Sequence, residues 1–542
     1  MKKTFQIGMP IEDDTEYFAT EAEYHVFSED TTEVCDRRYA AMRGNASSQA
    51  FNVFMLIKNK KNITVDFGGA TLVMHSKIQP FLIDGCENVT LKNCNVTYDR
   101  PMYTEALITE VTPSYARLKL NARCTCRVEG DQLIPYGTGW ENRRLNWRGV
   151  FFQLFDPVTR RGCGITLGAI GTPFIKDESF PYSIDQFTVE EDGDTILLKG
   201  RIPDVYRVGK VLVIEHEGRT YSNVFAIDSK HLTLENYRIL SGEGMGLFAY
   251  RVEDILLDRF LLTHDEKSPC LISNSADAVH SFGTSGNFVI RNSVFEGMID
   301  DAINIHSNFR TVDHVCDDVI YTNRASCEKQ AQDLYRVGDE IAVYRGQTME
   351  EVARYTVRKI ERIDDDLARI TVDRPVEAHA RGDLIESLSA NCDVTIENCI
   401  FGKANTHLRL QSRGKFVIRN CESELPFLLT GDTTYWFESG PITDLTVENC
   451  RFIGECARIS IESEVQVSEA APYYHKNIKI LNNVFETAVP LIAREADGIV
   501  FKCNQNGNGE PMKLTLINCG TAETDGCMVE RILQKDRSIG LN

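Results

Sequence analysis

The chain has 542 residues, enough to bury a large core in one long repetitive domain or in several ordinary ones. Its hydrophobic fraction of 42% and charged fraction of 25% are those of a globular protein. Acidic residues outnumber basic ones by 79 to 59; the resulting charge of −20 repels nucleic acid and anionic membranes, disfavours a strongly anionic polymer as substrate, and suits a neutral ligand such as a sugar.

At the start, Lys2 and Lys3 are not followed by the apolar run of a secretion signal. No stretch reaches transmembrane length. Taken literally the chain is cytoplasmic, and a trimmed export signal would leave the same sequence.

From residue 89 a short phrase recurs: two apolar residues around a variable one, another variable residue, then Asn. It reads Val89-Thr90-Leu91-Lys92-Asn93, then Leu232 to Asn236, with Ile255 to Arg259 carrying Arg in the last place. It returns at Phe288–Asn292, Val394–Asn398, Phe416–Asn420, Leu445–Asn449, Ile478–Asn482 and Leu514–Asn518. Leu232 and Ile255 are 23 residues apart, and Val394 and Phe416 are 22 apart. Repeats of this length built from alternating strands indicate a solenoid. Alternation sends one side chain inward and the next outward. The predicted fold is therefore all-β, a right-handed parallel β-helix.

The repeated Asn reads as a stacked turn residue whose amide bonds neighbouring backbone. The next residue is cysteine in five copies: Cys94, Cys399, Cys421, Cys450 and Cys519. With no CxxC pair and no Cys/His cluster among the 17 cysteines, these read as small buried side chains rather than metal ligands.

Two stretches lack the phrase. Coils are expected over 1–100, 226–310 and 389–542, with small inserted β-modules, barrel-like in form, over 101–225 and 311–388. Tyr206-Arg207-Val208-Gly209-Lys210 and Tyr335-Arg336-Val337-Gly338-Asp339 suggest that the two modules are built alike. They either wall a substrate groove or mediate assembly, homo-oligomer included, and the sequence leaves both open.

Asp300 and Asp301 close the coil begun at Phe288, and Asp277 closes the one before it, 24 residues ahead of Asp301. Adjacent strands lie roughly 4.8 Å apart, so three carboxyls crowd one patch. Like charges that close raise at least one pKa and set a proton donor beside an ionised base. A glycosidase needs such a pair, and sequence spacing does not separate retaining from inverting geometry. By parity, Ala302, Asn304 and His306 face outward, with His280 one coil earlier. His407, Arg409 and Gln411 form the next row, followed by Trp436 and Glu438, with Arg458, Ser460 and Glu462 continuing the wall. An exposed indole such as Trp436 suits the apolar face of a pyranose.

These residues carry a family resemblance. Ser275–His280, Gly297–His306, Tyr435–Gly440 and Tyr473–Ile478 resemble glycoside hydrolase family 110, as do Asp66–Ala70 and Asp84–Leu91. The likeness spans nearly the whole chain. It implies an exo-acting, inverting α-1,3-galactosidase acting on galactose-terminated glycans, on a β-helix with inserted barrels. Asp300 would be the general acid, with Asp277 and Asp301 positioning and deprotonating water. No metal or cofactor is implied. Ser307 stands where the family carries glycine.

A polygalacturonase-like hydrolase shares the pattern of one Asp followed a coil later by an Asp pair. It would want a basic Arg-x-Lys element, where this chain reads Arg409-Leu410-Gln411. A pectate-lyase-like enzyme would need calcium carboxylates with a catalytic Arg or Lys. A non-catalytic, carbohydrate-binding solenoid is the alternative from a different class.

Overall fold

The computed structural model describes residues 1–533 except 37, 40–49, 144–151, 167–186, 217–220, 265–267, 325–333, 365, 378, 405, 433–435 and 465–472. Its architecture is all-β. Two long sheets run the length of the chain, one of 21 strands paired in parallel and one of 14, parallel except for the short strands Thr32–Val34 and Glu438–Ser439. Successive coils pair in register, Leu232 opposite Ile255 and Val394 opposite Phe416, as the repeat predicts. The inward residues form one continuous core from Phe5 to Leu516. Register stacks like on like inside it: the Phe295 and Phe401 rings lie 5.2 Å apart and nearly parallel. Such pairs add to the burial of large rings in adjacent coils.

The recurring Asn has a backbone cause. Asn93, Asn236, Asn292, Asn398, Asn420, Asn449 and Asn482 all have φ between 49° and 56°, and Arg259 has 55°. This left-handed region costs an ordinary L-residue roughly 1–2 kcal/mol and is tolerated by Asn. The amides also bond one another. Asn236 Nδ2 donates to Asn93 Oδ1 at 3.0 Å and Asn398 Nδ2 to Asn292 Oδ1 at 3.3 Å, so side chains, not only backbone, form the ladder.

One copy of the phrase sits elsewhere. The strand Met512–Ile517 belongs to the 14-stranded sheet, pairing with Leu491–Arg494. Cys519 is therefore outside the thiol stack that Cys399, Cys421 and Cys450 form on consecutive coils. Those three are buried, as is Cys94, which pairs with Tyr237 rather than another cysteine.

The two interruptions leave the solenoid and return to it. Val89 pairs with Leu232 and Phe288 with Val394, so the coils close behind each excursion. The second excursion is a closed six-stranded antiparallel barrel between Arg310–Cys316 and Leu384–Ser387. The first holds a seven-stranded antiparallel sheet, including Tyr103–Val111 and Val211–Glu215, that does not close among the described residues. The shared Tyr-Arg-Val-Gly motif is the same turn in both. Tyr206 and Tyr335 are buried, Val208 and Val337 are exposed, and Gly209 and Gly338 have φ of 85° and 95°.

Candidate active site

The site forms on the 14-stranded sheet, from strands that precede and follow the second excursion. Three consecutive strands, Val279–Phe282, Ile303–Asn308 and Leu408–Gln411, lie side by side. Their register sets His280 beside Asn304 beside Arg409, and Phe282 beside His306 beside Gln411. The turns just before these strands carry the aspartates. Ala278 N–H donates to Asp301 O at 2.9 Å, and Ala302 N–H to His407 O at 2.9 Å, which keeps the turns stacked.

Asp277 is buried, and its Oδ2 lies 2.6 Å from His280 Nδ1. His280 Nε2 lies 3.0 Å from His306 Nε2, and His306 Nδ1 donates to Ser307 O at 2.9 Å. The last bond fixes the tautomer: a carbonyl only accepts, so the His306 proton sits on Nδ1 and its Nε2 is an acceptor. His280 must then donate through Nε2. Asp277 and His280 share the remaining proton, as carboxylate and imidazolium or as acid and neutral ring. Burial lowers the His306 pKa, with the Glu438 charge opposing and His280 adding to the fall, so this ring stays neutral.

Asp301 is buried beside a histidine and an arginine. His407 Nε2 lies 2.9 Å from Oδ1 and Arg409 Nε 3.6 Å from Oδ2, while Thr406 Oγ1 donates to Oδ1 at 3.3 Å. Asp300 is half-buried, and its Oδ1 accepts the Asp301 N–H at 2.9 Å.

Glu438 joins the two groups. Its Oε1 lies 3.6 Å from His306 Nε2 and accepts from Asn304 Nδ2 at 3.4 Å. Its Oε2 accepts from Gln411 Nε2 and lies 3.5 Å from Arg409 Nη1. Burial pushes this carboxyl up, and the Arg409 charge together with the Gln411 amide that donates to it outweigh burial and hold it below its ordinary value. Leaving one such buried charge without its partner costs about 3–5 kcal/mol.

Ten of the residues expected from sequence thus form one connected network: Asp277, Asp300, Asp301, His280, Asn304, His306, His407, Arg409, Gln411 and Glu438. Trp436 is half-buried, and its carbonyl accepts from Asn308 Nδ2 at 3.1 Å. Its segment is not a stacked coil. Glu438 and Ser439 pair antiparallel with Asn308 and Ser307, turning the chain across the end of the middle strand. Tyr435 lies outside the described residues. Ala302 does not line the groove but joins the core, as does Ala278, because both precede the strands where alternation begins. The acidic crowding expected from sequence is also met by basic side chains, since His280, His407 and Arg409 are interleaved with the carboxyl groups. Thr406 and Ser307 were not anticipated as partners; aligning Leu408 with Ile303 would have set Thr406 opposite Asp301.

No family model matches the chain. It is similar to an enzyme named alpha-1,3-galactosidase B from Bacteroides thetaiotaomicron, 27% identical over 83% of this chain and 74% of the relative. Alpha-1,3-galactosidase A from Bacteroides fragilis is 25% identical over 94% and 84%. The enzyme of that name from Shewanella woodyi is 25% identical over 82% and 73%. Among solved structures, the tailspike protein gp49 of Pseudomonas phage LKA1 covers 88% of the chain at a TM-score of 0.19, too low to bear on the fold. Likeness of this extent to several glycosidases makes the chain an enzyme of the glycoside hydrolase class.

Proposed function

We propose that this enzyme releases terminal α-1,3-linked galactose from a glycan, acting from the chain end with inversion, on a solenoid that winds right-handed as parallel crossovers do. The observation that carries the reading is the pairing of two differently dressed carboxylates on adjacent coils. Asp301, against His407 and Arg409, is suited to remain ionised and act as base on water. Asp277 shares a proton with His280 and is suited to donate one to the departing oxygen. This moves the acid role from Asp300, which the family resemblance names, to Asp277. Asp300 then serves beside Asp301 in holding the water.

In this reaction the water attacks the anomeric carbon from the face opposite the glycosidic oxygen, and that oxygen leaves with the Asp277 proton. The two carboxyls of an inverting site stand ~6.5–9.5 Å apart to admit the water. The Asn304, Gln411, Arg409 and Glu438 group offers donors and acceptors for sugar hydroxyls. Against a uronate polymer stands the acidic balance of the chain, with Arg409 already engaged by two carboxylates. Proton NMR of galactose released from Gal-α-1,3-Gal tests the proposal. β-Galactose is expected first; α-galactose appearing first defeats inversion, and no release at all defeats the galactosidase reading.

A further inference from the structure

Glu105 lies in the first strand of the first excursion, Tyr103–Val111, yet its carboxyl group bonds the solenoid. Its Oε1 accepts the backbone N–H groups of Leu271 at 2.8 Å and Ile272 at 2.9 Å, across 166 and 167 residues of sequence. Its Oε2 accepts from Asn121 Nδ2 at 3.1 Å, which aims the carboxyl. Leu271 and Ile272 begin the segment that ends at Asp277. The same excursion holds that segment at other points. Tyr103 Oη donates to Ile272 O, Arg123 Nη1 donates to Ser268 Oγ at 3.0 Å, and Gln153 Nε2 donates to Ile299 O, one residue before Asp300. Tyr103, Phe155, Val211 and Val213 bury Leu271, Ile272 and Ile299 in a shared apolar cluster.

From there the strain of position passes through Asn274. This fully buried amide donates to Gly244 O at 2.7 Å, Ala276 O at 3.1 Å and Asp277 O at 3.0 Å. Its backbone carbonyl accepts the Ile299 N–H at 3.3 Å. A shift of Leu271 and Ile272 therefore moves the Asp277 turn and the Asp300–Asp301 turn together.

We propose that Glu105 is a positioning residue for the reaction, and that the first excursion serves as a clamp holding both aspartate-bearing turns in register. This rests on the galactosidase reading above for its catalytic readout. Misplacement of a reacting group by an ångström costs on the order of a hundredfold in rate, so a loosened clamp shows in kcat before KM. The test compares Glu105→Ala, which removes both acceptors, with Glu105→Gln, which keeps one oxygen for the two N–H groups. Turnover of Gal-α-1,3-Gal is read beside amide exchange at Leu271 and Ile272. For Glu105→Ala a fall in kcat of about tenfold or more is expected, with KM within about twofold and both amides exchanging faster; Glu105→Gln should stay within about threefold of the parent. Should Glu105→Ala not fold, Glu105→Asp, whose oxygen is withdrawn by one methylene, is expected to show the same kcat loss. Unchanged kcat in a folded Ala or Asp variant overturns the proposal, as does unchanged exchange, or a Gln variant as impaired as Ala. A parent enzyme inactive on every galactoside would sink the functional reading alone, and the exchange measurement would still decide whether Glu105 holds the turn.

Discussion

His280 and His306 meet Nε2 to Nε2 at 3.0 Å with their ring planes 87° apart, and the proton between them belongs to His280. The Ser307 carbonyl decides this, because it claims the one proton of the neutral His306 ring on the other nitrogen. His280 is thereby oriented to face Asp277, and the two share a proton at the edge of the site.

If Asp277 is the donor, its loss matters only when the leaving group needs a proton. Asp277→Asn should lower turnover of Gal-α-1,3-Gal by about 10²-fold or more while sparing a dinitrophenyl α-galactoside, whose leaving group departs unaided. Asp301→Asn should abolish both. Equal losses on the two substrates for Asp277→Asn would return the donor role to Asp300.

Burial of Glu105, with the Cys124 charge, pushes its carboxyl up to about 8 against the pull of the Ile272 and Leu271 N–H groups. The folded protein keeps a proton that the unfolded chain gives up near 4.5, so stability is full below that value and drains as pH rises toward 8. At roughly 1.4 kcal/mol per unit the loss reaches a few kcal/mol. Glu105→Gln, neutral at all pH, should match the parent in melting temperature near pH 5 and exceed it at pH ~9. A constant difference across that range would contradict the shift.

His475 works from the other side. Burial lowers its pKa to about 3, and its Nδ1 accepts the Ile442 N–H at 3.1 Å. The unfolded chain takes up this proton near 6.5, so the stability contribution is complete above that pH and is lost as pH falls toward 3. His475→Asn keeps an acceptor without the titration. Its stability should fall less steeply between pH 6 and 4, by as much as ~1 proton in slope, as urea unfolding at several pH values would show.

Arg259 occupies the left-handed position that Asn fills in the neighbouring coils, with φ of 55°. Its ion pair with Glu235, at 2.8 Å, is exposed on both sides and contributes little, and its contact with Asp258, at 3.3 Å, duplicates the one Arg291 makes at 2.9 Å. Arg259→Asn should raise stability by about 1 kcal/mol, and Asn398→Ala should lower it by a similar amount. A melting temperature that drops for Arg259→Asn would assign the ladder's value to its charges instead.

The solenoid was legible because a left-handed turn favours Asn at the same place in most coils, and the preference leaves a phrase. The phrase does not say which sheet it lies in, and Leu514–Asn518 falls on the other wall from the remaining copies, because alternating apolar residues look the same on both. Parity located His280, Asn304, His306, Arg409 and Gln411 because they sit inside strands. It failed at Ala302, which precedes its strand, while Trp436 lies on a segment that runs antiparallel to the coils. Glu105 was invisible to any local pattern, since its partners are 166 and 167 residues away and it binds their backbone, not their side chains.

The closing of coils behind each excursion orders events during synthesis. The strand Glu87–Tyr98 has its next neighbour at Lys230–Ile239, so the growing solenoid waits for the whole first excursion to emerge before it gains another turn. The same wait recurs between Ser285–Arg291 and Cys392–Glu397. Each pause leaves an open sheet edge in a nascent chain, a site for mispairing with other chains. An excursion that compacts by itself, as antiparallel neighbours close in sequence are able to do, brings the distant strand back sooner and shortens that exposure.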